Sequence, residues 1–156
     1  MTLGSLFDGA GTFPFAAQIC GIDTLWSSEI EPFCLKVTAK NFPHVKQLGD
    51  ITQINGAEID QVDIITFGSP CQDLSIAGQR KGLDGERSGL FMEAIRIIKE
   101  MRKKTNGIYP TFIVFENVCG AFSSNDREDF RSVLEELCKV KDSGADVPRP
   151  ARGGVD

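Results

Sequence analysis

Cys71 and Glu116 are the residues of this sequence whose types and positions best suit covalent chemistry. Each follows a short apolar run, residues 63–68 and 111–115, with the length and composition of a buried strand. A cysteine fixed at the end of a strand can act as a nucleophile, and a nearby carboxyl group can donate or accept a proton. We expect the two strands to be neighbours, so that both side chains face one small pocket.

Each of these two residues also has a purely structural interpretation. A free cysteine is most often a small buried apolar residue, and a glutamate after a strand is often a helix cap. A carboxylate that follows an apolar run, however, faces either solvent or a site. The elements that carry the two residues must decide between these interpretations.

The other cysteines and the histidine argue against several classes of site. The five cysteines are scattered and form no Cys-x-x-Cys pair, which disfavours a zinc site or a disulfide framework. The only histidine, His44, lies in a turn-like segment at the end of a predicted helix, so a cysteine protease would lack its base. We therefore expect no metal ion. The cysteines are Cys20, Cys34, Cys71, Cys119 and Cys138.

Strands and helices alternate along the chain, which predicts a parallel sheet covered by helices. The predicted strands cover residues 3–7, 25–30, a short segment before Gly49, 63–68 and 111–115. The predicted helices run from Phe13 to Ile19, from Pro32 to Asn41, from Leu90 to Met101 and from Phe130 to Leu137. This pattern fits an α/β fold with a Rossmann-like doubly wound sheet in the order 3-2-1-4-5. We expect residues 1–140 to form this domain and residues 141–156 to form an irregular tail.

Three further features fall at the carboxyl ends of predicted strands, where such sheets bind ligands. The turn from Phe7 to Gly11 carries glycines that let the backbone approach a ligand, although such glycines are often only turn residues. Glu29 can accept hydrogen bonds from ribose hydroxyls or can simply be exposed. Asp50 either accepts a hydrogen bond from an adenine amino group or caps the next short helix. A nucleoside fits better than a triphosphate, because no phosphate-binding Gly-x-x-x-x-Gly-Lys-Ser/Thr pattern is present.

The segment from Gly78 to Gly89 is rich in glycine and has no periodic pattern, which predicts a long mobile loop. Loops of this length usually serve function, and this one could close over a substrate. It contains Arg80, Lys81 and Arg87, which form either a basic patch or a solvated turn.

The overall composition is that of an ordinary soluble protein with one core. The chain has 156 residues, 41% of them hydrophobic and 25% charged. It has no apolar stretch near the roughly 20 residues of a membrane span and no signal-like N-terminus, so we expect a cytoplasmic protein without membrane contact. The net charge of −5 argues against this chain alone gripping a phosphate backbone.

Taken together, these residues resemble the N-terminal part of a DNA cytosine-5 methyltransferase. Pro70-Cys71-Gln72 together with Glu116-Asn117-Val118 is the most specific part of the resemblance, which covers at least residues 3–137. The matching blocks are Ser5 to Gly11, Ser28 to Ile30, Gly49 to Ile51, Gly68 to Ser75, Arg87 to Phe91 and Phe115 to Val118.

The resemblance implies S-adenosylmethionine as the cofactor and assigns residues to it. The turn containing Phe7, Gly9 and Gly11 would lie against the cofactor, and Glu29 would hold its ribose. The remaining cofactor residues would be Ile30, Asp50 and Ile51 around the adenine, with Pro70 and Leu90 near the methionine end.

The resemblance also implies a mechanism and a substrate. Cys71 would add to C6 of a cytosine flipped out of DNA, and Glu116 would bind the N3 side of the ring. Gln72, Ser75, Asn117 and Val118 would contact the substrate. Because cytosine-5 methyltransferases occur in restriction-modification systems, such a role is one option.

The family pattern continues beyond the blocks found here, with a further strand, a target-recognition region and a final block that returns to the cofactor pocket. We therefore expect a truncated chain, with a sheet that is incomplete at its C-terminal edge. Strand five would be left as an apolar edge, which favours self-association or a complementary polypeptide that supplies DNA recognition. The alternatives are a non-catalytic nucleoside-binding or interaction module and a transfer RNA cytosine-5 methyltransferase of the same fold.

Overall fold

The computed structural model describes residues 1–68, 89–117 and 128–149, which build a parallel sheet flanked by helices. Within these residues the five strands, numbered along the chain, lie in the predicted order 3-2-1-4-5. The strands are β1 (Thr2–Leu6), β2 (Asp23–Ser28), β3 (Lys46–Gln47), β4 (Ile64–Phe67) and β5 (Phe112–Phe115). The helices are α1 (Thr12–Ile19), α2 (Pro32–Asn41), α3 (Gly89–Lys104) and α4 (Glu128–Lys139), with a 3₁₀ helix at Ile51–Gln53.

The predicted ends of the first two strands are wrong by one or two residues, for local reasons. Phe7 has a φ of 54°, a left-handed conformation that cannot continue a strand, so β1 ends at Leu6. The chain turns at Glu29, whose carboxylate accepts hydrogen bonds from the N–H groups of Ile30 and Glu31, and β2 therefore ends at Ser28.

The main core lies between the sheet and α3. Phe67, Phe91 and Phe115 form an aromatic cluster, with neighbouring ring centroids 5.0 to 6.0 Å apart. Trp26 is fully buried beneath β1, and its indole N–H donates to the Asp60 carbonyl at 2.9 Å. The apolar face of α3 thereby anchors both the end of β4 and the end of β5.

The opposite face of the sheet has a smaller core, formed by Leu3, Ala17 and Ile64. α1 covers this face at β1 and β2 through Ala17. The side chains of Phe112 and Val114 on β5 are 54% and 46% exposed. Among the residues described, β5 pairs only with β4 and is the outer strand of the sheet.

The described part of the tail, residues 141–149, contains neither helix nor strand and lies along α4. Arg131 donates to the Val147 carbonyl, and Arg149 pairs with Glu128. No helix in the described ranges is long and apolar enough to cross a membrane. The same ranges contain no group of three or more metal-binding side chains.

Candidate active site

The Glu29 carboxylate, directly after β2, is hydrogen-bonded to the turn that follows β1. Its Oε2 atom accepts a hydrogen bond from the Gly9 N–H at 2.8 Å, while Oε1 accepts from Ile30 and Glu31. Gly9 has a φ of 57°, and a Cβ atom built there would meet nothing within 4 Å. The backbone at this turn therefore borders open space, as a ligand-binding turn requires.

Gly11, by contrast, has a packing role. A Cβ atom at this position would lie 2.9 Å from the Phe42 ring, and φ is 90°. The carbonyl of Gly11 also accepts a bond from the Phe15 N–H at the start of α1. The predicted cofactor role of Gly11 remains a prediction, while its contact with the end of α2 explains why no side chain fits there.

Asp8 is a buried carboxylate in the same turn that the sequence analysis did not single out. Its Oδ1 atom accepts a bond from the Ser5 hydroxyl at 2.7 Å, whereas Oδ2 is buried and has no hydrogen-bond partner among the described residues. Burial raises the pKa of Asp8 to about 6; the Ser5 hydrogen bond opposes this rise and the Glu29 charge adds to it. The signal in the sequence was an aspartate next to the apolar residues of β1.

Asp50 has the capping role that the sequence left open. Its Oδ1 atom accepts hydrogen bonds from the Thr52 N–H and hydroxyl, both at 2.9 Å, at the start of the 3₁₀ helix. Within the described residues no hydrogen bond reaches Oδ2, so this oxygen remains available to a ligand. The preceding residue is tied to β2, because the Ser28 hydroxyl donates to the Gly49 carbonyl at 2.7 Å.

The two isoleucines predicted to frame an adenine differ in exposure. Ile30 is 69% exposed and can cover an apolar ring face, whereas Ile51 is 4% exposed and belongs to the main core. The Ile51 side chain therefore packs in the core and presents no open surface to a ligand. Phe7 and Leu90 are half-buried and pack against the same core.

Glu116 lies against the end of β4. Its N–H donates to the Phe67 carbonyl at 2.9 Å, and its Oε2 atom is 2.6 Å from the place where a Cβ of residue 68 would stand. Gly68 is thus required for this approach. Asn117 follows and is half-buried. The strand neighbourhood on which the predicted pocket depends is present, since β4 and β5 pair in register.

Several predicted site residues fall outside the described residues. These are Pro70, Cys71, Gln72, Ser75 and Val118, together with residues 78–88 of the predicted loop.

Comparison with known proteins decides the family. Residues 1–141 match the family described as C-5 cytosine-specific DNA methylase. The chain belongs to this family. A C-5 cytosine methylase domain implies S-adenosylmethionine as the methyl donor.

Two named relatives match most of this chain. The type II methyltransferase M.HhaI of Haemophilus parahaemolyticus is 35% identical over 137 residues, which are 88% of this chain and 39% of that protein. A protein of Escherichia phage P1 named DNA N-6-adenine-methyltransferase is 39% identical over 129 residues, 79% of this chain and 17% of that protein. The chain therefore spans less than half the length of either relative.

A solved structure supports the fold of this chain. A DNMT2 variant of Spodoptera frugiperda superposes with a TM-score of 0.61 at 25% identity, over 86% of this chain and 40% of that one. The predicted α/β sheet of the S-adenosylmethionine-dependent methyltransferase type is confirmed.

The carboxylates at the edge of the sheet fit S-adenosylmethionine. This cofactor has a ribose diol, an adenine amino group, an ammonium group and a sulfonium centre, all of which favour acceptors or negative charge. The Glu29 and Asp50 carboxylates follow β2 and β3, and the backbone at Gly9, which donates to Glu29, borders open space. The chemistry of these residues therefore matches the cofactor that the family implies.

Proposed function

We propose that this chain is the cofactor-binding and catalytic part of an enzyme that methylates C5 of cytosine in DNA. The contact between Gly68 and Glu116 carries the proposal, because the chain leaves β4 beside the Glu116 carboxylate. Cys71 follows Gly68 by three residues in the sequence. A thiol and a carboxyl delivered by neighbouring parallel strands are what attack on a pyrimidine ring requires.

In the proposed reaction Cys71 activates the ring. Its thiolate bonds to C6 of cytosine, and the C5–C6 π electrons move onto C5, which is otherwise a poor nucleophile. Glu116 holds a proton at the N3 side, where it stabilises the charge that the addition creates. After methylation the C5 proton is lost, the bond between sulfur and C6 breaks, and the thiolate is restored.

Residues at the sheet edge would hold the cofactor. When bound, S-adenosylmethionine supplies an electrophilic methyl group. Glu29 accepts from the ribose hydroxyls, and Asp50 accepts from the adenine amino group through its available oxygen. The remaining assignments are Phe7, Gly9 and Gly11 along the first turn, Ile30 and Ile51 at the adenine, and Pro70 and Leu90 toward the methionine end.

Substrate recognition needs more than this chain. Gln72, Ser75, Asn117 and Val118 would line the pocket for a flipped cytosine. The net charge of −5 does not favour a phosphate backbone, so we propose that a further region or a complementary polypeptide supplies the basic DNA-binding surface. Residues 1–140 then form the catalytic domain and residues 141–156 the connection. A cytoplasmic location fits a DNA substrate, and cell fractionation tests it.

Covalent trapping tests the proposed reaction. DNA containing 5-fluorocytosine cannot lose a C5 proton after methylation, so the thiol stays bonded to C6. The chain is mixed with this DNA, S-adenosylmethionine and the C-terminal region of a full-length relative as a second polypeptide. We expect a stable adduct that the Cys71→Ser variant does not form.

The same assay separates the alternatives. Transfer RNA containing 5-fluorocytosine, trapped in preference to DNA, would indicate the transfer RNA enzyme. Methylation of adenine with no adduct would match the name of the phage P1 relative instead. Cofactor binding without an adduct on any substrate would favour a nucleoside-binding module.

A further inference from the structure

Arg96 on α3 holds the segment that follows β3 by its backbone. Its Nη1 atom donates to the Ile54 carbonyl at 2.8 Å, and Nη2 donates to the Ile51 carbonyl at 3.2 Å. Glu93 and Glu100, one turn before and after it on the same helix, both pair with the guanidinium. The planar guanidinium thereby grips both ends of the 3₁₀ helix from a fixed position.

A second link fixes the far end of this segment. The Gly56 N–H donates to Glu100 Oε2 at 2.7 Å, and the same carboxylate pairs with Arg96. A Cβ atom at residue 56 would lie 2.2 Å from the Ile97 carbonyl oxygen, so the backbone touches α3 directly. The position of residues 51–56 is therefore set by α3 as well as by the sheet.

The peptide group between Ile51 and Thr52 connects Arg96 with Asp50. The Ile51 carbonyl and the Thr52 N–H belong to the same planar trans peptide, so they point in opposite directions. Arg96 binds the carbonyl end, and Asp50 Oδ1 binds the N–H end at 2.9 Å. A rotation of this peptide would break both contacts and would turn the Asp50 carboxylate away.

We propose that Arg96 is a positioning residue that sets the preference of this methylase for a 6-amino purine on its cofactor. This inference rests on the proposed function, in which Asp50 accepts from the adenine amino group. Arg96 itself need not touch the cofactor, because it acts through the peptide between Ile51 and Thr52. Removing it leaves the Ile51 carbonyl with the Ile54 N–H as its donor, at 3.2 Å, and this single bond holds the peptide less firmly. Asp50 then loses its fixed direction, while Glu29 and the ribose contact stay intact.

Calorimetry with two ligands tests this role. S-adenosylhomocysteine carries the 6-amino group, and S-inosylhomocysteine carries a 6-oxo group in its place. Because a hydrogen bond to a charged carboxylate strengthens binding by about tenfold or more, the wild-type chain should prefer the adenosyl ligand by about that factor. The Arg96→Met variant should bind the adenosyl ligand about tenfold more weakly and the inosyl ligand nearly as before.

Arg131 on α4 provides a matched control. It pairs with Glu128 and Glu135, one turn before and after it, and donates to the Val147 carbonyl, so its bonding resembles that of Arg96. Arg131 lies on α4, whereas the residue that contacts the segment after Asp50 lies on α3. The Arg131→Met variant should keep the wild-type ratio of the two affinities even where its thermal stability falls.

The possible results separate the two proposals. A wild-type chain that binds neither ligand contradicts the proposed cofactor site. A wild-type chain that prefers the adenosyl ligand, combined with an unchanged preference in Arg96→Met, overturns the positioning role alone. Arg96→Lys is measured in parallel, since it keeps the ion pairs but cannot hold two carbonyls; its preference should also fall. If both Arg96 variants fail to fold, Arg96 serves stability and the inference is wrong.

Discussion

At the scale of single residues, Glu29 is already engaged before any ligand binds. Three backbone N–H groups, those of Gly9, Ile30 and Glu31, donate to a carboxylate that has about four acceptor positions. A ribose diol needs two of these positions. Under the proposed ribose assignment, cofactor binding releases one of these backbone contacts, which couples the ligand to the turn after β1.

The Glu29→Gln variant should lose both functions of the carboxylate. Its amide group presents a donor where an acceptor is needed, so either the Gly9 N–H or the ribose is left unmatched. We expect at least about tenfold weaker binding of S-adenosylhomocysteine and about 1–3 kcal/mol lower unfolding free energy. Calorimetry and denaturant unfolding measure the two effects. Glu31→Gln, which changes an exposed neighbour, is the control, and equal affinities for the two variants would contradict the ribose assignment.

Asp8 predicts a dependence of stability on pH. Its pKa is about 6 in the folded chain against a usual 3.8, so the folded state holds the proton more tightly than the unfolded state. This contribution favours folding below pH 3.8 and is lost as the pH rises through 6. At neutral pH the ionised, buried carboxylate costs up to about 3 kcal/mol.

The Asp8→Asn variant should remove this cost, because the amide carries no charge. We expect it to unfold at higher denaturant concentration than wild type at pH 7, by about 1–2 kcal/mol since one amide donor stays buried. The advantage should shrink toward pH 4. Unfolding curves at several pH values measure it, and a constant difference across that range would show that charge is not the cause.

The Gly68→Ala variant should slow catalysis with little change in stability. The added Cβ would stand 2.6 Å from Glu116 Oε2, which is the end of a flexible side chain and can move away. Unfolding free energy should change by less than about 1 kcal/mol, whereas adduct formation should slow by about tenfold or more. Gly144→Ala, whose nearest atom would be 3.5 Å away, is the control. Adduct formation at the wild-type rate in Gly68→Ala would contradict a role for Glu116 in the reaction.

At the scale of elements, β1 and β2 meet through a glycine without space for any side chain. A Cβ atom at Gly4 would lie 2.1 Å from the Trp26 ring, which is fully buried and held by its bond to Asp60. Unlike the Glu116 carboxylate, this ring has nowhere to move.

Gly4→Ala should therefore destabilise the fold by about 2–3 kcal/mol or more, because overpacking forces the ring or the strand to shift. Denaturant unfolding measures the loss, and tryptophan fluorescence reports the displacement, since Trp26 is the only tryptophan. A stability within about 0.5 kcal/mol of wild type would mean that the strand adjusts without cost.

The boundaries of α3 and β2 show which element ends the local sequence pattern can predict. The apolar run of α3 and its basic end predicted a helix that the structure extends from Gly89 to Lys104. The end of β2 could not be predicted, because it depends on the Glu29 side chain folding back onto its own backbone. Such a contact leaves no periodic signal in the sequence.

At the scale of the whole molecule, the face of β5 opposite α3 is apolar and exposed among the described residues. Phe112 and Val114 point to this face, at the edge strand of the described sheet. Exposed apolar strand edges promote association.

The chain should therefore associate with itself as its concentration rises. We expect sedimentation velocity to show larger species at high concentration and a shift toward monomer in the double variant Phe112→Ser, Val114→Thr. Phe33→Ser, at a position on α2 that is 70% exposed, should have a smaller effect. The same monomer content at all concentrations would show that this face is not adhesive.

The sequence by itself determined the order of the strands, the family and the positions of the candidate residues at the strand ends. It could do so because apolar periodicity, glycine and proline breaks and short motifs are all local properties. Only the tertiary structure decided which of these residues meet: Glu29 with Gly9, Glu116 with Gly68, and Arg96 with the peptide beside Asp50. These partners are 20 to 48 residues apart, and side-chain direction across the sheet, which the chain pattern does not encode, sets each contact.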